Sequence, residues 1–413
     1  MLSKNLIRLS VFPLSLLLVL SLSLTMSVPV AATAAEEPGP TFVDPTALLE
    51  QRDNIRLGHL DYIAPFAYLK AGSGEKFIHI GDESNIQDNT FLDASGGPIE
   101  IGDQVIIAHG ARVLGKETPA SIGEEGICPP DETTGVVPVH CPSFVGFNSE
   151  VDGAIIEKDA MVLSVARIAP GVRIPSGFKV LPGKEIESQD QVMEKTVPMV
   201  AADRAFMAAV IEVNVDFAIG YTRLRAEDPN NVFGINFDAG PTATDPDRDL
   251  PSFRGVPTRR PNYARDFGGK ARIVGDVDFV QTLSQFGAVS GVKNSLRADE
   301  GEEWIIGTIT TMKDNVTWHA LEDTRIQLGN RGSYGVHSII HAGPSSFGPF
   351  THTTAAGNNF RLKDKGVLFN AVVGDNVTIG VKSLVQNSSL PSGTVVEDRT
   401  VILNDMPPYP VEW

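Results

Sequence analysis

Aliphatic residues along this chain recur in a six-residue beat rather than at helical or simply alternating spacing. Ile80-Gly81-Asp82, Ile101-Gly102-Asp103, Val145-Gly146-Phe147, Val274-Gly275-Asp276, Val373-Gly374-Asp375 and Ile379-Gly380-Val381 each open a stretch with a further aliphatic residue two to six positions on. An aliphatic side chain pointing into a prism, a small residue at its corner and a short strand after it make the hexapeptide unit of a parallel β-helix, three units to a triangular coil. Between two such regions, Val197, Met207, Val210, Ile211, Phe217 and Leu224 recur at helical spacing amid alanines, which predicts one long helix over Lys195–Arg225. Residues 226–269 hold clusters such as Asp245-Pro246-Asp247 and read as linker. The first 35 residues begin with Lys4 and Arg8, continue in a Leu-rich run from Val11 to Val28 and end on Ala32-Thr33-Ala34-Ala35, the three parts of an export signal. The pattern therefore predicts an all-β chain with one long helix, as tandem prisms: signal peptide 1–35, first β-helix with its helix 36–225, linker 226–269, second β-helix 270–413.

Composition sharpens this only in part. An apolar fraction of 42% with 21% charge describes a globular chain with a sizeable core. The formal net charge of −17 argues against nucleic acid or anionic lipid as a partner, because both need neutralising cations, and after signal cleavage no membrane is expected. Export implies an oxidising compartment, periplasmic or extracellular, so the two cysteines, Cys128 and Cys141, are expected to pair. A closure of that length contributes about 3 kcal/mol. A metal site from Cys128, His140 and Cys141 is the alternative, but its spacing matches no standard zinc pattern.

The two regions are copies. Ser84-Asn85-Ile86-Gln87-Asp88-Asn89-Thr90-Phe91-Leu92-Asp93 matches Thr310-Thr311-Met312-Lys313-Asp314-Asn315-Val316-Thr317-Trp318-His319, and Ile107-Ala108-His109 matches Gly335-Val336-His337. Ser295-Leu296-Arg297-Ala298-Asp299-Glu300-Gly301 resembles a Ser-Ile-Arg-x-Asp-Glu-Gly segment of the γ-class carbonic anhydrases, and Lys313-Asp314-Asn315 falls on their Gln-Asp-Gly. Trp318-His319-Ala320-Leu321-Glu322 falls on the segment of their first metal-binding histidine, and Val336-His337-Ser338-Ile339-Ile340-His341 on their paired-histidine segment. The resemblance covers nearly all of residues 270–413 and, in a degenerate form, the first copy from about Gly58 through the helix. It implies left-handed β-helices that associate as a homotrimer or pseudo-trimer, with each zinc site shared between neighbours.

On that resemblance the expected metal ligands are His319, His337 and His341, for zinc or alternatively iron or cobalt, with CO2 and bicarbonate as substrate and product. A catalytic zinc takes three imidazoles and keeps a fourth position open. His319 and His337 are 18 positions apart, the length of three hexapeptides, which would stack them on one edge. The family's paired histidines are five apart, whereas His337 and His341 are four apart. Glu322 and Glu300 are expected to carry protons, Arg297 and Asp299 to form an ion pair at the interface and Asp314 to support the site. In the first copy Asp93 and Leu114 stand where two ligands are expected and only His109 remains, so His109 is a possible ligand lent across an interface to the second copy. A noncatalytic β-helix scaffold and a hexapeptide-repeat acyltransferase are the alternatives, since fold alone does not fix function.

Overall fold

The structure, a computed structural model, describes residues 39–130, 134–229, 232, 271–275, 277–299, 302–321, 324–343 and 352–413. Each copy is a prism of three parallel sheets, every coil giving one short strand to each. In the first prism, sheet I runs from Phe42–Val43 through Val105–Ile107 to Phe178–Val180, sheet II from Leu48–Glu50 to Glu185–Ile186, and sheet III from Ile55–Arg56 to Arg173–Ile174. In the second prism, sheet IV runs from Ala271–Gly275 through Thr317–Ala320 and Ile339–Ala342 to Thr400–Leu403. Sheet V runs from Val277–Phe279 to Ser389–Leu390, and sheet VI from Ile309–Met312 to Val395–Val396. Antiparallel strands Thr196–Pro198 and Tyr409–Pro410 finish sheets I and IV.

The hexapeptide pattern yields this shape because its aliphatic residues stack in columns inside each prism. Ile80, Ile101 and Ile122 fill the first interior, as Trp318, Ile340 and Leu368 fill the second. Burying such a side chain contributes about 1.5–3 kcal/mol. Glycine is needed where the coils close up at a corner. A Cβ on Gly81 would stand 2.7 Å from the Gly102 carbonyl carbon, so no larger residue fits without moving the next coil.

Sheets I and IV face each other. Ile106, Phe144 and Phe147 of the first prism share one apolar cluster with Ile339, Val367 and Phe369 of the second. The long helix runs over Ala201–Glu227 and lies across both prisms: Met207, Val210 and Ile211 join that cluster, and Phe217, Tyr221 and Leu224 pack on Phe42, Tyr62 and Val274. The helix begins later than the sequence pattern predicts. Thr196–Pro198 pairs instead with Phe178–Val180, and the Asp203 side chain accepts from the Val200 N–H (2.8 Å), covering one of the otherwise unpaired first-turn amides. Cys128 and Cys141 form a disulfide with Cα atoms 5.7 Å apart. The signal segment and most of the linker lie outside the described residues.

Candidate metal centre

Three histidines meet where sheets I and IV face. His319 and His341 are register partners on adjacent strands of sheet IV, and His109 follows strand Val105–Ile107 of sheet I. Parallel pairing puts His319 and His341 on the same side of the sheet one coil apart, and docking of the prisms brings His109 against them. His109 Nε2 and His341 Nε2 each lie 3.2 Å from His319 Nδ1, and all three ligand nitrogens fall within 4.8 Å of one another. The residues themselves are at most 4% exposed.

The donor set fits a tetrahedral metal. Bonds of 2.0–2.1 Å at tetrahedral angles place neighbouring ligand nitrogens roughly 3.3 Å apart. Each imidazole is held neutral, the form that has a lone pair to give. Burial pushes His319 and His341 well below the usual histidine range, and the Arg297 guanidinium and the neighbouring imidazoles push the same way. Burial also lowers His109, although Asp88 pulls it upward. That carboxylate lies 3.1 Å from His109 Nδ1 and so orients the ring with Nε2 toward the cluster.

Beneath the histidines is a buried ion cluster that spans both prisms. Arg297 donates Nε to Asp88 (3.2 Å) and Nη1 to Asp299 (2.7 Å) and to the Tyr62 hydroxyl (3.2 Å). Ser295 Oγ donates to Asp88 (2.5 Å) and the Tyr221 hydroxyl to Asp299 (2.5 Å). Burial alone would raise the Asp88 carboxyl, but Arg297, with His109 and Ser295, holds it well below the usual carboxylate range. Asp299 Oδ1 reaches 3.8 Å from His319 Nε2, on the ring edge facing away from the other histidines. A second buried pair between the prisms, Arg272 with Asp44 (3.1 Å), repeats the arrangement farther along the interface.

His337 does not join the cluster. The spacing of 18 fails as a stacking argument because the coil between His319 and its partner is 22 residues long, so the side chain above His319 is His341. Corner hydrogen bonds also shift the duplicate alignment by one. Gly110 N donates to Asp88 O and His337 N to Asp314 O, both residues have positive φ, and Asn148 N and Lys365 N donate to the carbonyls of His109 and Val336. His337 is therefore the counterpart of Gly110, and Val336 is the counterpart of His109. Positions 336 and 341 are five apart, the spacing that the resemblance asks for, with valine in the first place.

Asp314 stands at an exposed corner, its carboxylate accepting from Val292 N (2.8 Å), and the duplicate residue Asp88 takes the buried place. Lys313 pairs with Asp364 (3.0 Å) on the surface, so the Gln-Asp pair brought beside the histidines is Gln87-Asp88 of the first copy. The matched ten-residue segments carried that signal. Tyr62 and Tyr221 had no signal beyond their apolar surroundings. Asp93 and Leu114 are register partners on sheet II, in the places that His319 and His341 hold on sheet IV, and Asp93 pairs with Lys70 (3.5 Å). Glu300 and Glu322 lie outside the described residues.

No family model matches the chain. It is 28% identical over 212 residues to a carbonic anhydrase of Methanosarcina thermophila, covering 45% of this chain and 76% of the relative. It is 27% identical over 200 residues to the mitochondrial gamma carbonic anhydrase 2 of Arabidopsis thaliana, covering 43% and 64%. A carboxysome assembly protein of a Nostoc species is 26% identical over 134 residues, covering 32% and 23%. Among solved structures, a hexapeptide transferase family protein from Anaplasma phagocytophilum aligns with TM-score 0.30 and 22% identity, over 43% of this chain and 91% of that one. Parallel prisms built from hexapeptides, together with these sequence relatives, make this chain a γ-carbonic-anhydrase-like protein of the hexapeptide-repeat class.

Proposed function

We propose that the chain is an exported, metal-dependent carbonic anhydrase that interconverts CO2 and bicarbonate at one site per chain. The observation that carries this is the buried convergence of His109, His319 and His341 from two prisms. Zinc, or alternatively iron or cobalt, bound by these residues would lower the pKa of water at its open position to about 7, the nucleophile that CO2 hydration needs. His109 is set by Asp88, and Arg297 fixes Asp88 and Asp299 on either side of the interface, so the ion cluster positions the ligands. Phe147 and Phe369 lie against the histidines, with ring centroids 4.9 and 5.3 Å from that of His341, and keep bulk water from that side. Proton transfer to solvent belongs to Glu322 and Glu300 in this reading. The triad closes within one chain, so the expected trimer is not required to build it. The disulfide supports export.

The test is metal content and CO2 hydration of the purified chain beside His319→Ala. About one metal per chain and activity that both vanish in the variant support the reading. Metal-free protein without hydration activity rejects it and leaves the scaffold reading, whereas hydration that survives His319→Ala rejects the histidine cluster as the site. Sequencing the N-terminus of the secreted protein checks export: a start near Ala35 or Glu36 supports it.

A further inference from the structure

Where sheet II of the first prism and the corners between sheets VI and IV of the second diverge, they enclose a groove of about 350 Å³. One wall is aromatic, made of Phe66, Tyr68 and Phe91. The opposite rim carries Lys293, His337 and Lys365, and Arg112 spans the two, its guanidinium 5.6 Å above the Phe91 ring. Among the described residues no Asp or Glu side chain lines the groove, and Trp413 completes its lining. In a chain of net charge −17 this is not the general character of the surface. Arg112 gives one nitrogen to Glu150 (3.1 Å), but Lys293 and Lys365 have no ion pair among the described residues.

One further observation points to an anionic ligand. His337 is pushed down to about 4, first by burial and then by Lys365, Arg112 and Lys293, which shows how closely the cations crowd it. Asn89 lines the groove floor at 5% exposure, its Nδ2 donating to Thr317 Oγ1 (2.8 Å). The groove floor at Asn89 and Gly110 is one residue from Asp88 and His109, yet the cations do not belong to the histidine cluster.

We propose that this groove binds a small organic anion with a flat apolar body, its carboxylate held by Arg112, Lys293 and Lys365 and its body lying on Phe66, Tyr68 and Phe91. Charge-assisted hydrogen bonds supply the anchor and the aromatic wall supplies the selectivity for an apolar body. Asn148 reinforces the site, because its Nδ2 donates to the carbonyls of His337 (2.9 Å) and Lys365 (3.2 Å) and ties the rim to the first prism.

The test is calorimetric titration of the full chain with benzoate, acetate and inorganic phosphate, with metal present and after chelation. Benzoate is expected to bind once per chain in both metal states, about tenfold or more tighter than acetate or phosphate. The double variant Lys293→Gln/Lys365→Gln changes one exposed and one half-buried residue and is expected to weaken benzoate about tenfold or more. Absence of saturable benzoate binding overturns the proposal, as does binding unaffected by the double variant. Benzoate binding that disappears on chelation assigns the anion to the histidine cluster and also overturns it. Equal affinity for phosphate overturns the apolar-bodied ligand. Because the assay works without metal, failure of the carbonic anhydrase reading leaves it untouched.

Discussion

The first prism keeps the ligand that reaches outward, and the second keeps the two that receive it. His109 survives where Asp93 and Leu114 have replaced its companions, while His319 and His341 survive where Val336 has replaced the outward histidine. The ion cluster divides the same way. Arg297 and Asp299 belong to the second prism, Lys70 takes the register position of Arg297 in the first, and the first prism supplies the buried Asp88. Duplication in one chain makes only one of two possible interfaces intramolecular. Each copy then needs only the residues on the face it presents to the other, so the losses are complementary rather than random.

The largest effect should come from the histidines that this comparison separates. His109→Ala removes one of three ligands and should lower metal affinity by at least about 100-fold, beyond what loss of an orienting neighbour costs. His337→Ala should leave one metal per chain. Metal counted by plasma mass spectrometry decides it: loss in His337→Ala with retention in His109→Ala would reverse the assignment.

Next comes the pair of aspartates. Asp88→Asn leaves Arg297 short of a buried counter-charge and loosens His109, so it should cost about 3 kcal/mol in urea denaturation as well as metal. Asp314→Asn changes an exposed corner and should cost about 0.5 kcal/mol or less with no loss of metal. Equal costs would mean that the interface cluster does not distinguish the prisms.

Most of the fold was legible in the sequence because corner glycines and aliphatic columns impose the hexapeptide beat whatever the prism's partner. The register was not. Matching His109 to His337 by residue type slipped the alignment by one, and only the corner hydrogen bonds, Gly110 to Asp88 and His337 to Asp314, show the offset. Coil length misled as well, since a 22-residue coil replaces His337 with His341 above His319. The role of Asp88 was hidden because its partners, Arg297 and Ser295, are more than 200 positions away and meet it only when sheets I and IV dock.

The insertion closed by Cys128 and Cys141 is confined to the first prism. Cys128→Ser/Cys141→Ser should lower stability by about 2–3 kcal/mol, the range for a short closed loop, without touching the metal. Metal loss in this variant would show that the loop braces sheet I against sheet IV.

The smallest effect concerns the clamp at the far end of the two prisms. Glu412, just past the last strand of sheet IV, accepts from Lys184 (2.8 Å), Lys195 (2.9 Å) and the Glu185 N–H (3.0 Å), all in or beside the first prism. Burial opposes its charge, but these donors win and hold its carboxyl down to about 2, against 4.5 for an ordinary glutamate. A carboxyl with a lower pKa folded than unfolded stabilises the fold fully above about pH 4.5 and loses that contribution as pH falls toward 2. Its side chain is 26% exposed, so solvent screening limits the gain to about 1 kcal/mol. Glu412→Gln should therefore melt lower than the parent near neutral pH, and the two melting curves should converge as pH falls from about 5 to about 2. If the curves stay parallel, the clamp contributes nothing to docking, and the prisms are held by the apolar interface, the long helix and the buried ion pairs alone.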